Sequence, residues 1–256
     1  PRYLQSSPEY AMKRLLASGW GGAFQICKAF RNGEYGKRHN PEFSMLEWYR
    51  PGFDHHRLMD EVEALVTPLL GLTACQRINY GDLFKQYLNI DPYTATATAL
   101  AAVARQHIDL EMEDDNRDNW LNLLMSHVIE PQLTDQGGVF IYDYPASQAA
   151  LSRVMTNSAG QSVACRFELF VAGIELANGY FELTDATEQA RRFEQDIVQR
   201  KSEDLPIRPT DNLLVEALEN GIPECAGVAM GLDRLVMLAL GTEQISDVIA
   251  LPFERA

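Results

Sequence analysis

The chain has 256 residues, 46% of them hydrophobic, with 10 Tyr, 11 Phe and 3 Trp, enough to bury a sizeable core and to exclude a disordered chain. A net charge of −14 argues against broad, sequence-independent nucleic-acid binding, which needs a basic surface, yet leaves room for a local cationic pocket. No apolar run reaches membrane-spanning length, no signal peptide is visible, and Cys27, Cys75, Cys165 and Cys225 show no CxxC spacing. The expectation is a cytoplasmic protein with reduced thiols, not a disulfide frame, a zinc site or a membrane protein.

In chain order, Ser7-Pro8-Glu9 predicts a helix start, with Ser as cap, Pro in the first turn and Glu near the positive end. That helix runs through "EYAMKRLLAS" and stops at Gly19. Residues 23–31 alternate and predict a strand, "NGEYGK" a turn, and residues 42–50 the returning strand. Asp54 is expected to cap a helix with Leu58, Val62, Leu65, Val66 and Leu69 on its apolar side. Residues 80–130 read as helical and polar, with "EMEDDNRD" as a solvated loop or helix entry. "GVFIYDYP" reads as a buried strand, and "VACRFELFVAG" with "IELANGYFEL" as an antiparallel pair joined near Gly173. A capping box at Asp185–Glu188 opens a long helix to about Lys201, and Asp211 to Asn220 is a helix closed by Gly221. "GVAMGLDRLVMLALG" reads as a Gly-rich turn into a closing helix. Antiparallel pairs interspersed with helices predict one α+β domain over 1–256, built on an antiparallel sheet, with 80–130 a helical segment inside it. The chain begins with Pro1 and not Met, so a missing N-terminal part is expected.

Three constellations carry chemistry. In the opening hairpin, alternation puts Phe43, Met45, Glu47 and Tyr49 on one face, with Arg31 before the turn and His39 and Asn40 after it. This is either a solvated hairpin or a cradle in which an Arg fork grips phosphate. In "FELFVAGIELANGYFELTD", Glu168 and Glu175 could share a divalent cation. Asn178, Tyr180 and Glu182 have one parity and Glu175 the other, so one pocket can hold them all only if Ala177-Asn178-Gly179 bulges. The alternative is an edge strand dotted with solubilising carboxylates. In "GVAMGLDRLVML", Gly227 and Gly231 allow close backbone approach and Arg234 lies in the first helical turn. This is an anion site or an ordinary helix entry. No P-loop, Rossmann fingerprint, HExxH or GxSxG is present.

Together and in this order, these segments resemble the catalytic domain of a class II aminoacyl-tRNA synthetase of the lysyl branch. "FRN…RHNPEF" is similar to its motif 2 and "GVAMGLDRLVML" to its motif 3, while "SPEYAMKRL" and "IELANGYFELTD" are similar to its lysine-pocket segments. The resemblance implies the class II fold: an antiparallel sheet flanked by helices. It implies ATP as co-substrate and Mg2+ held by Glu168 and Glu175. Arg31 would bind the α-phosphate, Arg234 the γ-phosphate and His39 the terminal phosphates, making the two arginines the catalytic pair. Asn40 would contact adenine and Phe43 stack on it, with Asn32, Gly33, Leu176 and Gly231 completing the nucleotide site. Ser7, Pro8 and Glu9 would meet the amino end of the substrate, and Glu47, Tyr49, Asn178, Tyr180, Glu182 and Ala229 would surround the rest. Within the branch, "SPEYAMKRLL", "HNPEFSMLEWYRP", "YPASQAAL", "GIELANGYFELTDA" and "RLVMLALG" are most similar to the truncated paralogues that ligate (R)-β-lysine to a lysine side chain of elongation factor P. Ala229 stands where lysyl-tRNA synthetases carry Gly, and its methyl would crowd an α-amino group. A ligase for (R)-β-lysine or lysine is therefore expected, with elongation factor P as acceptor, no tRNA partner, and a homodimer for the full-length protein. Two departures stand out. Gly33 replaces the usual motif 2 Glu, with Glu34 beside it. Motif 1, which carries much of the dimer interface, would precede "SPEY".

Overall fold

The computed structural model describes residues 3–207 and 210–256. Its elements, in chain order, are helix α1 (Glu9–Ala17), strands β1 (Ala23–Phe30) and β2 (Glu42–Pro51), helix α2 (His55–Leu70), and strand β3 (Cys75–Asn79). Helices α3 (Tyr80–Leu88), α4 (Ala97–His107) and α5 (Arg117–Leu124) follow, then strands β4 (Gly138–Pro145), β5 (Val154–Thr156), β6 (Ser162–Val171) and β7 (Ile174–Phe181). Helices α6 (Ala186–Ser202) and α7 (Asn212–Glu219), strand β8 (Cys225–Gly231) and helix α8 (Leu232–Leu240) close the chain. Among the described residues, no helix is long and apolar enough to cross a membrane.

The chain divides into two compact units. One comprises the described residues of Pro1–Asp54, Phe181–Met237 and Gly241–Ala256. In it β2 is flanked by β1 and β8, both antiparallel, with Ala23 opposite Tyr49 and Glu47 opposite Ala229. Helices α1 and α7 pack together over Tyr49 and Cys225, through Met12, Leu16, Leu214, Leu218 and Ile222. Pro8, not Ser7, stands at the N-cap of α1; Ser7, one residue earlier than the cap, accepts from the backbone N–H of Glu9 at 3.0 Å through its Oγ. Asp211 caps α7 by accepting from Leu214 N–H at 3.1 Å. Asp185 caps α6 by accepting from Glu188 N–H at 3.0 Å. The Glu188 carboxylate in turn binds Arg191 and Arg192, and these bonds hold its pKa down at about 2.

The other unit, His55–Tyr180 with Leu238–Leu240, is built on the strand order β7-β6-β4-β3, with β5 also pairing β6. Only β3 with β4 is parallel. The 80–130 stretch is helical as expected, but it is not merely polar. Tyr80, Leu83, Phe84, Leu100, Trp120, Leu121 and Leu124 are buried against Val139, Ile141 and Phe170 of the sheet. Two expectations about α2 reverse: Leu65 and Leu69 are exposed, while Met59 is fully buried. The helix turns its apolar side by one position, so that Leu58, Met59, Val62 and Val66 meet the core. Three strands lie outside the sequence expectations, the shortest being β5, three exposed residues paired to β6. β3 is short, half polar and parallel to its neighbour, which offers no hairpin signal. β8 stands where the sequence predicts a glycine turn: "CAGVAMG" is a largely buried strand in which small residues let other side chains lie across the backbone.

Candidate active site

In the first unit, two ionic groups sit under the β2–β8 surface. Glu47 is buried; its Oε2 accepts from Ser7 Oγ at 2.8 Å and its Oε1 from Tyr49 Oη at 2.6 Å. Lys13, also buried, donates from Nζ to Glu9 Oε1 at 2.7 Å and pairs with Glu182 Oε2 at 2.6 Å. Glu182 is brought there by the chain leaving β7, whose N–H at 182 bonds to Cys225 O at 3.0 Å. Gly227, opposite Tyr49 in the ladder, makes the arrangement possible. A Cβ there would stand 2.3 Å from Tyr49 Cε1 and 2.4 Å from Glu182 Oε1. Gly231 has no such role, since a Cβ there meets only Arg234 at ordinary contact distance.

Burial sets the electrostatics. Removal from water, with Glu9 nearby, pushes the Glu47 carboxyl up to about 7, against the hydrogen bonds from Tyr49 and Ser7. Burial pushes Glu182 up to about 8, with Glu9 and Glu47 adding to the effect and Lys13 opposing it. Burial alone would lower Lys13, but Glu182 and Glu9 together reverse this and hold it charged. Two carboxylates, Glu9 and Glu182, therefore hold one ammonium, with the buried Glu47 carboxyl nearby.

The same unit carries the motif 2 and motif 3 residues. Arg31 lies 5.1 Å from the Phe43 ring centroid, donates from Nε to Ser6 O at 3.3 Å, and stands 3.8 Å from Glu34. Arg234 donates from Nε to Arg38 O at 3.2 Å and meets His39 Nε2 at 2.6 Å. Burial and Arg234 lower the His39 pKa, so the neutral ring accepts that bond. Asn40 is buried; its amide donates to Glu42 O at 2.5 Å and its oxygen accepts from Phe253 N–H at 3.0 Å. Asp233 accepts from Ser44 N–H at 2.6 Å, tying α8 to β2. Asn32 is exposed, and Gly33 has φ +85° with open space around it, so the turn itself demands Gly there. Pro8 is buried at the head of α1.

In the second unit, Glu168 and Glu175 line one cavity of about 510 Å³, with Tyr144, Arg166, Asn119, Asn122 and Glu130 among its other walls. The register explains how. Glu168 pairs with Asn178 and Phe170 with Glu175, so Leu176 is an extra, unpaired residue. The bulge restores common parity to Glu175, Asn178 and Tyr180, of which Glu175 lines this cavity. It falls at Leu176, however, not at Ala177-Asn178-Gly179, because the turn before it fixes the first pairs. Leu176 itself is buried, leaving only its backbone for any ligand. Glu168 Oε2 accepts from Tyr144 Oη at 2.7 Å; Oε1 accepts from Asn178 at 3.1 Å and from the Arg166 guanidinium. Arg166 stacks 4.6 Å from the Tyr144 ring centroid. A carboxylate offers about four acceptor positions, so Glu168 keeps room for a cation. Two carboxylates facing one cavity fit magnesium, which takes few protein oxygens and completes its shell with phosphate and water.

Two residues of consequence were not singled out beforehand. Lys13 follows Glu9 at i,i+4, the spacing of a helical ion pair, and that signal could have found it. Arg166 stands two residues before Glu168 on the same face of β6 and could have been read by the same alternation applied to the second pair.

A family model described as tRNA synthetases class II (D, K and N) matches residues 2–255. The elongation factor P–(R)-β-lysine ligase of Salmonella arizonae is 49% identical over 256 residues, covering 99% of this chain and 78% of that protein. The ligases of the same name from Salmonella dublin and Salmonella heidelberg are also 49% identical, over 257 residues and the same shares.

Proposed function

The chain belongs to the class II tRNA synthetase family (D, K and N), and from that premise we propose that it is an ATP-dependent ligase. It activates (R)-β-lysine as an aminoacyl-adenylate and transfers the acyl group to a lysine side chain of elongation factor P. The observation that carries the substrate class is the set of buried Glu47 and Glu182 with part-buried Glu9. A diamino acid brings two ammonium groups, and buried carboxylates with fixed hydrogen bonds are what such groups need to leave water. The relatives that share 49% of the sequence are named for this substrate and acceptor.

In this reading the substrate carboxylate attacks the α-phosphate of ATP and pyrophosphate leaves. No protein nucleophile is required; the chain supplies orientation and fixed positive charge. Arg31, held flat by Phe43 and Ser6, stabilises charge at the α-phosphate, and Arg234, oriented by neutral His39, grips the terminal phosphate. Asn40 and Phe43 hold adenine, assisted by the backbone of Asn32, Gly33, Leu176 and Gly231. Ser7 and Pro8 position Glu9 and Glu47, while Tyr49, Asn178, Tyr180 and Ala229 shape the amino-acid site. Glu168 and Glu175 would hold Mg2+, which supplies charge neutralisation to the phosphates. A single catalytic domain over 1–256, a homodimer of the full-length protein, a cytoplasmic location and absence of tRNA charging belong to the same proposal.

The test is transfer of radiolabelled (R)-β-lysine or lysine from ATP-activated protein to elongation factor P, run against tRNA of the lysine acceptor type. Label on the factor and none on tRNA is the expected result. Label on tRNA alone overturns the acceptor and leaves a lysyl-tRNA synthetase core.

A further inference from the structure

We infer that Lys13 sets which substrates the amino-acid site accepts, by cancelling one of its three carboxylates, the buried Glu47 and Glu182 and the part-buried Glu9, so that the remaining charge matches two ammonium groups. This rests on the proposed amino-acid-activating function and goes beyond it, because Lys13 is a positioning residue that acts through Glu9 and Glu182.

Charges stand in fixed number at fixed places in this site. Glu47 is bound by two hydroxyls, from Ser7 and Tyr49, and neither carries charge. Glu9 and Glu182 both meet the single Nζ of Lys13, at 2.7 and 2.6 Å. Lys13 is 1% exposed and Glu182 1% exposed, so bulk water screens neither. With all three acids ionised, the state a diammonium ligand requires, the site without Lys13 would hold three negative charges and take up a further proton or cation. With it, two are left, the number a diamino acid neutralises. Lys13 also spans the two acids and fixes their separation, so an incoming ammonium finds them already placed. A monoamino acid of the same length would leave one buried carboxylate unmatched, which is the disfavoured arrangement.

The proposal makes a counterintuitive prediction. Lys13→Met removes the ammonium and leaves three carboxylates. Glu182→Gln leaves one net negative charge. The double variant, Lys13→Met with Glu182→Gln, returns the count to two. Pyrophosphate exchange is measured with (R)-β-lysine, with lysine, and with norleucine, a lysine lacking the terminal ammonium. Glu182→Gln should lower the lysine-to-norleucine ratio of kcat/KM by about tenfold or more, and adding Lys13→Met should raise it again by a similar factor, within the range of coupled neighbours. The change should sit mainly in KM. A merely structural lysine predicts the opposite, further loss on the second substitution. A ratio in the double variant equal to or below that of Glu182→Gln overturns the inference, whether or not Lys13→Met folds alone. A wild-type protein showing no amino-acid-dependent exchange would instead overturn the function itself.

Discussion

Consider Gly227→Ala, for which the structure sets the magnitude. The added methyl carbon would stand 2.3 Å from Tyr49 Cε1, 2.5 Å from Tyr49 Cδ1 and 2.4 Å from Glu182 Oε1. These are far inside contact distance, and Tyr49 is buried, 3% exposed. Overpacking of this kind costs about 1–3 kcal/mol, which for a protein of this size lowers the unfolding midpoint by about 2–12 °C. Whatever relief occurs must come from Tyr49 or Glu182. Moving Tyr49 breaks its 2.6 Å bond to Glu47, an interaction with a charged acceptor worth about 1.5–3 kcal/mol. The KM for the diamino acid should therefore rise by roughly one to two orders of magnitude, while the KM for ATP changes little. Gly231→Ala, four residues along the same segment, is the control. Its methyl would lie 3.5 Å from the nearest heavy atom, and stability should move by less than about 0.5 kcal/mol. Differential scanning fluorimetry and pyrophosphate exchange on both variants decide the matter. Equal midpoints and equal amino-acid KM for the two would refute the reasoning.

Three further outcomes follow from the same geometry. Glu47 and Glu182 have folded-state pKa values raised to about 7 and about 8, so the ligand-free protein binds more protons than its unfolded chain between the ordinary carboxylate range and those values. Their contribution to stability is present in acid and is lost as pH rises through that window. A diammonium ligand needs both acids ionised, so the thermal stabilisation by lysine should grow from about pH 5.5 to pH 8, and a flat profile would contradict the site. Ala229→Gly removes a methyl directly opposite Glu47 in the ladder and should shift preference toward α-lysine by about 1–3 kcal/mol, read as competing adenylation rates. Arg234→Ala should reduce kcat for pyrophosphate exchange by about 10²–10³-fold with little change in unfolding midpoint, since the guanidinium serves developing charge and not the core.

Much of this was legible from residue order because the signals are local. Asp185 and Asp211 cap the helices that follow them, and the β1–β2 and β6–β7 hairpins carry clear alternation around their turns. What escaped depends on partners far along the chain. β3 is a strand because β4 lies beside it in parallel, and β8 is a strand because β2 and the Tyr49 ring cover its small residues. Leu65 and Leu69 have helical spacing with Leu58, yet the sheet meets the helix from the side of Met59. The carboxylates of the site could be picked out by residue type, whereas Lys13 offers only its i,i+4 spacing from Glu9, and its second partner, Glu182, is remote in sequence.

The β6–β7 hairpin has an odd property. Ala172 and Gly173 both have positive φ, at 50° and 68°, and form a two-residue turn that dictates pairing at one end. Asn178 opposite Glu168 dictates it at the other, and the two dictated phases disagree by one residue, which Leu176 absorbs. Losing a residue from a strand ordinarily turns half of its side chains over. Here excision of Leu176 would bring the two phases into step, so Glu175 and Asn178 would go on looking the same way. Chain length at this spot is free to vary by one where orientation is not.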